Sequence, residues 1–251
     1  MKILICLSNV PDTTTKIKLV DNNQNYNKTG VQWIINPWDE LALTRALELK
    51  DDPNAAVDKV TVITVGGKDA EPTIRKALAI GADNAIRVNA EAIDGFSVAK
   101  ELAEVVKNGE FNLVLTGKES IDYNGGMVPG MLATFLDYNF VNACIGLEIE
   151  GDKAIISREI DGGKEILSCN LPLVIAGQKG LVEEKDLRIP NMRGIMMARK
   201  KPLTVVEPTA KSHSTESVSF EKPLSKSACK IIDANNVEEL VNLLHTEAKV
   251  I

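Results

Sequence analysis

A chain of 251 residues with 44% apolar and 25% charged side chains can bury a full core, as one large domain or one domain with an extension. Its net charge of −6 excludes wholesale phosphate-backbone binding, because nucleic-acid readers carry a basic face. No apolar run approaches the ~20 residues that span a bilayer, so membrane insertion is not expected either.

The chain opens with a charge and a short apolar patch, Lys2-Ile3-Leu4-Ile5-Cys6-Leu7, followed by Ser8-Asn9-Val10-Pro11-Asp12. The patch is too short for a signal peptide and no cleavage site follows, so residues 2–7 read as a first buried strand. With no transit peptide visible, the expected compartment is the cytoplasm. Cys6, Cys144, Cys169 and Cys229 are scattered without a paired motif. That spacing fits neither a zinc site nor a disulfide framework, and it suits a reducing compartment. The two histidines, His213 and His245, lie in the polar C-terminal part, which argues against a histidine-based catalytic centre.

Residues 18–32 are polar and rich in Asn and Gly, as in an exposed ribbon or long loop. Asn36-Pro37-Trp38-Asp39-Glu40 then carries a helix start: a capping Asn, Pro at the first helical position and acids against the positive dipole end. Leu43, Ala46 and Leu47 recur at helical spacing, predicting a helix over 37–50. Residues 60–65 form a strand run ended by Gly66-Gly67, and residues 71–80 a helix that Gly81 should close in the left-handed conformation. A short strand over 85–88, a helix over 97–108, a buried strand over 113–116, a loop over 117–126 and a helix over 127–136 complete the alternation. Such alternation implies a parallel sheet covered on both faces.

Between 145 and 176 the pattern changes to hairpins. Apolar and polar residues alternate over 156–160 and 165–171 around the turn Asp161-Gly162-Gly163, and Pro172 interrupts the pairing before an apolar run. Residues 178–204 have no clear period, 205–226 are rich in Ser, Thr, Lys and Pro, and one helix near 236–247 closes the chain. The expected fold is α/β: a doubly wound, mostly parallel sheet with an antiparallel hairpin addition and an extended C-terminal arm. Residues 1–204 should form the α/β domain, and 205–251 an arm with little core of its own, which must lie on the body or wrap a partner.

In open α/β sheets ligands bind beyond the carboxyl ends of the strands. The segment Gly117-Lys118-Glu119-Ser120-Ile121-Asp122-Tyr123-Asn124-Gly125-Gly126-Met127-Val128 runs from a strand straight into a helix, whose free N–H groups favour a phosphate. It is neither a Walker loop nor a GxGxxG fingerprint. Taken alone it supports either a phosphate site or a plain strand-to-helix turn.

Several motifs together resemble the beta subunits of electron transfer flavoproteins. They are Val10 with Asp12, Asn36-Pro37-Trp38, Arg75-Lys76-Ala77-Leu78-Ala79-Ile80-Gly81-Ala82-Asp83, Gly117-Lys118 with Ile121-Asp122, and the hairpin Arg158-Glu159-Ile160-Asp161-Gly162-Gly163. Glu165, Pro172 and the Pro190-Asn191 step leading to Ile195-Met196 and Arg199-Lys200-Lys201 extend the likeness, which spans about residues 1–207. The resemblance implies a non-catalytic electron-carrier subunit, paired with an alpha subunit that holds most of the redox FAD. Residues 1–204 would then be a domain of the adenine-nucleotide-binding type, enclosing AMP or, in electron-bifurcating members, a second FAD, and the arm over 205–251 would pack on the partner subunit. Acyl-CoA or other dehydrogenases would be the electron donors.

Carried over by position, the nucleotide cleft involves Cys6, Asn36 to Asp39, Val65, Gly117, Lys118, Ile121, Asp122, Asn124, Gly125, Gly126, Met127 and Val128, with the phosphate on amides near 125–128. Trp38 holds the aromatic position facing the partner's flavin, and Glu159 that of a pairing with a partner arginine. Ile189 is the aliphatic anchor of a recognition loop over 178–198. The chain departs from the family pattern in three places. Thr13 replaces an aromatic, Gly125 to Val128 replace polar side chains, and Met192-Arg193-Gly194 lengthen the recognition loop. A free-standing nucleotide-binding protein of the same fold is the alternative.

Overall fold

A computed structural model describes residues 1–209, 213–225 and 228–251. Its centre is a nine-stranded sheet in the order β11 (Gly163–Asn170), β10 (Lys153–Ile160), β9 (Asn139–Glu150), β12 (Leu173–Gly177), β8 (Leu113–Gly117), β1 (Lys2–Cys6), β6 (Lys59–Val65), β7 (Asn84–Val88), β13 (Leu203–Val206). The parallel core comprises β1 (Lys2–Cys6), β6 (Lys59–Val65), β7 (Asn84–Val88) and β8 (Leu113–Gly117). Side chains alternate across it. Ile3 and Ile5 face α1 (Pro37–Asp51) and α2 (Glu71–Ile80), packing with Leu43, Leu47, Ile74 and Leu78. Leu4 and Cys6 face α3 (Gly95–Gly109) and α4 (Val128–Leu136), packing with Leu102, Val106 and Leu132. Two separate apolar layers on one sheet are what a doubly wound fold requires.

Before α1, two small ribbons interrupt the alternation: β2 (Asn9–Pro11) pairs antiparallel with β5 (Trp33–Ile35), and β3 (Leu19–Val20) with β4 (Asn25–Tyr26). The polar stretch at 18–32 is thus a ribbon, its turn made by Asp21, Asn22 and Asn23 at positive φ. Short polar side chains tolerate that conformation best after Gly. Gly81 does close α2, but at φ +157 and ψ −13, outside the left-handed helical region expected. Leu47 of α1 crowds the site, leaving 2.9 Å to an added Cβ.

The hairpin region departs more from expectation. β9 (Asn139–Glu150), β10 (Lys153–Ile160) and β11 (Gly163–Asn170) form the antiparallel addition, with Gly162 at φ +81 in the turn and Arg158 directly opposite Glu165. β12 (Leu173–Gly177), however, lies between β8 and β9 and is parallel to both. It is a fully buried core strand and not part of the addition. Five consecutive buried residues without alternation are the mark of such a strand.

Over 178–204, where no period was visible, a 3-10 turn (Glu184–Asp186), a helix and the start of a further strand form. Helix α5 (Met192–Ala198) is capped by Asn191, whose side chain accepts from Gly194 N–H at 2.7 Å. Strand β13 (Leu203–Val206) adds a parallel edge to β7, so the boundary expected at 204 falls inside it. Arg75 Nη1 donates to the carbonyls of Ala198 and Lys201 at 2.8 Å each, and Lys201 Nζ donates to those of Leu78 and Ala82. These bonds staple α5 and its exit onto α2. The closing helix is α6 (Val237–Leu243), continued by a π-helical turn, Leu244–Ala248. The arm expected over 205–251 includes 210–212 and 226–227, which lie outside the described residues.

Candidate functional site

The site begins with one carboxylate. Asp39 lies in the first turn of α1, but its side chain points inward. Its Oδ2 accepts the Ser8 N–H and its Oδ1 the Gly117 N–H, each at 2.7 Å. It therefore clips together the carboxyl ends of β1 and β8. Burial pushes this carboxyl up to about 7, opposed by the amides of Ser8 and Gly117. Gly117 is required at the end of β8. A methyl there would lie 2.5 Å from Trp38 Cβ and closer still to Asp39 Oδ1.

Asn36 occupies the N-cap of α1 but makes no capping bond. Its amide is committed elsewhere: Nδ2 donates to the Glu119 carbonyl at 2.8 Å, and Oδ1 accepts the Ile121 N–H at 3.2 Å. Asn36 thereby holds the loop that follows β8. Within that loop Ser120 and Gly125 bridge, and the turn between them carries Asn124 at φ +52.

A cleft of about 820 Å³ opens beside this loop, at the carboxyl ends of β1, β6, β7 and β8. The chain moves outward from β1 to β6 and β7, then returns to β1's other flank as β8. The cleft therefore sits at the topological switch point, where open α/β sheets place ligands. Cys6, Asp39, Val65, Gly117, Asp122, Gly125, Met127 and Val128 line it. Asn36, Pro37, Trp38, Lys118, Ile121, Asn124 and Gly126 do not. Asn36 is spent beneath the loop, Ile121 and Asn124 form its turn, and Gly126 backs onto the Lys118 carbonyl, 3.3 Å from an added Cβ.

Other residues on the wall were not foreseen: Tyr26, Lys28 and Trp33 from the ribbons, the stretch 89–94 after β7, and Thr215, Glu216 and Ser217 from the tail. Asp94 could have been found, since an Asp three residues before Ser97 is an N-cap pattern. Its Oδ1 caps α3 at Ser97 N–H (2.8 Å), and its Oδ2 accepts the amides of Ser214 and Thr215 at 2.6 and 2.9 Å. Burial alone would raise this carboxyl, but those bonds hold it well below the usual carboxylate range. Nothing in the polar tail signals its return to the cleft.

The wall is acidic. Among the described residues Asp39, Asp69, Glu91, Asp94, Glu119, Asp122 and Glu216 line it, with Lys28 the single basic side chain. An anion bound here must rely on main-chain N–H groups and the dipole of α4. Pro129, in the first turn of that helix, removes one amide from the set. Burial, then the Asp39 charge, pushes the Cys6 thiol far above its ordinary value, which disfavours the nucleophilic thiolate. No cluster of potential metal ligands occurs among the described residues.

Trp38 lies outside the cleft. Lys118 Nζ stands 5.9 Å from its ring centroid and donates to Gln178 Oε1 at 3.3 Å. Gln178 Nε2 in turn donates to Glu159, so Glu159 is engaged within the chain. Ile189 is 79% exposed and stands just before α5, on which Met192, Ile195 and Met196 are exposed as well.

With this geometry in place, sequence comparison identifies the class. A sequence model described as the electron transfer flavoprotein domain matches residues 25–211. The chain belongs to the electron transfer flavoprotein beta-subunit family. It is 36% identical to the electron transfer flavoprotein subunit beta of Bacillus subtilis (strain 168), over 100% of both chains. It is 35% identical to that of Syntrophomonas wolfei over 91% of this chain and 88% of the relative. For the human subunit the identity is 34% over 83% and 82%. Electron transport and flavin association are the business of the family. No helix among the described residues is long and apolar enough to cross a membrane.

Proposed function

We propose that this chain is the beta subunit of a heterodimeric electron transfer flavoprotein. It encloses AMP or a second FAD in the switch-point cleft, and it covers part of an FAD held mainly by an alpha subunit. The observation that carries the reading is the cleft itself. It is bounded by the carboxyl ends of four parallel strands, with close-packed glycines and almost no basic side chains.

That chemistry suits one phosphate or a diphosphate diester and disfavours a triphosphate, whose charge would meet carboxylates uncompensated. Leu7, Ile63, Val65 and Val98 offer an apolar wall for the adenine, and carboxylates such as Asp69 and Glu91 accept from ribose hydroxyls. Amides of Gly125 to Val128 hold the phosphate. The cleft volume also falls in the range of cavities that take larger ligands, which keeps the bifurcating form with a second FAD as the second reading.

The redox chemistry is the flavin's when bound; this chain positions and shields. Trp38, backed by Lys118, presents its ring away from the nucleotide cleft and toward the alpha subunit's flavin. Ile189 with Met192, Ile195 and Met196 forms the docking surface for acyl-CoA or other dehydrogenases. The tail exposes Leu224 at 96% and Ile231 at 87%, apolar side chains that a self-sufficient domain would bury and an encircled partner would cover. The test is co-expression with the cognate alpha chain followed by acid extraction. One FAD plus one AMP, or two FADs, per heterodimer is expected. A stable monomer that turns over substrate without a flavin partner would defeat the reading.

A further inference from the structure

We propose that residues 213–220 of the C-terminal tail form a removable wall of the nucleotide cleft, latched by Asp94 at one end and by the β3–β4 ribbon at the other. The proposal rests on the reading of the cleft as a nucleotide site and assigns the tail a role there apart from any partner.

At the first end, Asp94 Oδ2 accepts two successive tail amides, those of Ser214 and Thr215. At the other end the Phe220 N–H donates to the Asn23 carbonyl at 2.8 Å. The Phe220 ring packs edge-on against Tyr26, with centroids 6.4 Å apart and planes at 80°. Tyr26 itself lines the cleft, as do Thr215, Glu216 and Ser217 between the two anchors. The segment therefore bridges from the N-terminus of α3 to the ribbon, across the opening between them. Upstream, Thr209 donates from its N–H to Glu101 at 3.0 Å, which fixes where the tail leaves the sheet.

The anchors are few, two tail amides on the Asp94 carboxylate and one amide plus one ring on the ribbon, while the segment contributes nothing to either apolar core. Segments held this way open at a small fraction of the global unfolding free energy. Nucleotide can then enter and leave by release of the tail, with the α/β body unchanged. Asp94 is a positioning residue: it orders the wall and need not touch the nucleotide.

Two full-length variants separate this role from folding. Asp94→Asn keeps the α3 cap, because Asn caps as well as Asp. It also turns an NH2 group toward the Ser214 and Thr215 donors. Phe220→Ala removes the ring contact with Tyr26 and leaves α3 untouched. Each is loaded with radiolabelled AMP, or with FAD if AMP is not retained, and release is followed after dilution into unlabelled nucleotide. Protease cleavage within 213–220 is followed with and without the same nucleotide.

Release about tenfold faster in both variants, with unchanged melting of the nucleotide-free protein, is the expected result. Slower cleavage of the parent's tail when nucleotide is bound is expected with it. Parent-like release from both variants, or cleavage indifferent to nucleotide, overturns the removable wall while leaving the cleft assignment intact. A parent chain that retains neither AMP nor FAD overturns the cleft assignment, and the wall with it.

Discussion

Asp39 shows how a single residue sets the geometry of the site. A carboxyl displaced from 3.8 to about 7 binds its proton more tightly in the folded chain than in the unfolded one. Its contribution is fully present below pH 3.8 and is lost as pH rises through about 7. Relative to Asp39→Asn, which does not titrate, the parent should lose stability across that window. The ceiling is about 4 kcal/mol, readable from urea midpoints at pH 4 and pH 8. Gly117→Ala should cost roughly 1–3 kcal/mol by overpacking, because α1's first turn leaves no space for a methyl. Gly125→Asp differs. Its nearest neighbour to an added Cβ is Ser120 Oγ at 3.9 Å, so the fold should survive while nucleotide retention in the purified protein falls. Asp39, Cys6 and Val65, assigned to the cleft by the family resemblance, lie on its wall, at strand ends or at a helix start. Asn36 and Trp38 were recognised as important, yet neither lines the cleft: the Asn36 amide is spent on the loop after β8, and Trp38 packs beside Lys118. Sequence position fixes where a residue sits on its helix, but neighbouring chain decides what its side chain meets.

At the scale of elements, the regular alternation from β1 to α4 was readable because each run is long, periodic and bounded by Gly, Pro or Asn. What escaped was short or lacked a period. β12 has five buried residues and reads like any apolar run until its parallel neighbours are known. β13 and α5 are held by contacts made far away in sequence. Arg75 reaches from α2 to carbonyls at 198 and 201. Arg75→Ala should therefore loosen a distant element and not its own helix. Amide hydrogen exchange in Met192–Ala198 should accelerate about tenfold or more, with α2 itself unaffected, given that hydrogen bonds to charged groups contribute about 1.5–3 kcal/mol.

The whole molecule is two-layered on one half of its sheet and unfinished on the other. The flap of β10 and β11 exposes Ile160 and Ile166, β11 is an edge strand with no neighbour on its far side among the described residues, and the tail adds further bare aliphatics. Open edges and apolar patches recruit additional chains. Expressed alone, the protein should self-associate with concentration in sedimentation experiments, and co-expression with the proposed alpha partner should abolish this.

Under the proposed function, the stapling of α5 onto α2 bears on encounters with electron donors. A donor docking at the proposed anchor Ile189 would meet a neighbouring helix already folded, so little chain entropy would be surrendered on contact. The helix has seven residues and is only about 10 Å long, which keeps the footprint small. Contacts of small area belong with brief residence times. A carrier that must leave each donor promptly to reach its acceptor is well served by a rigid foothold of that size.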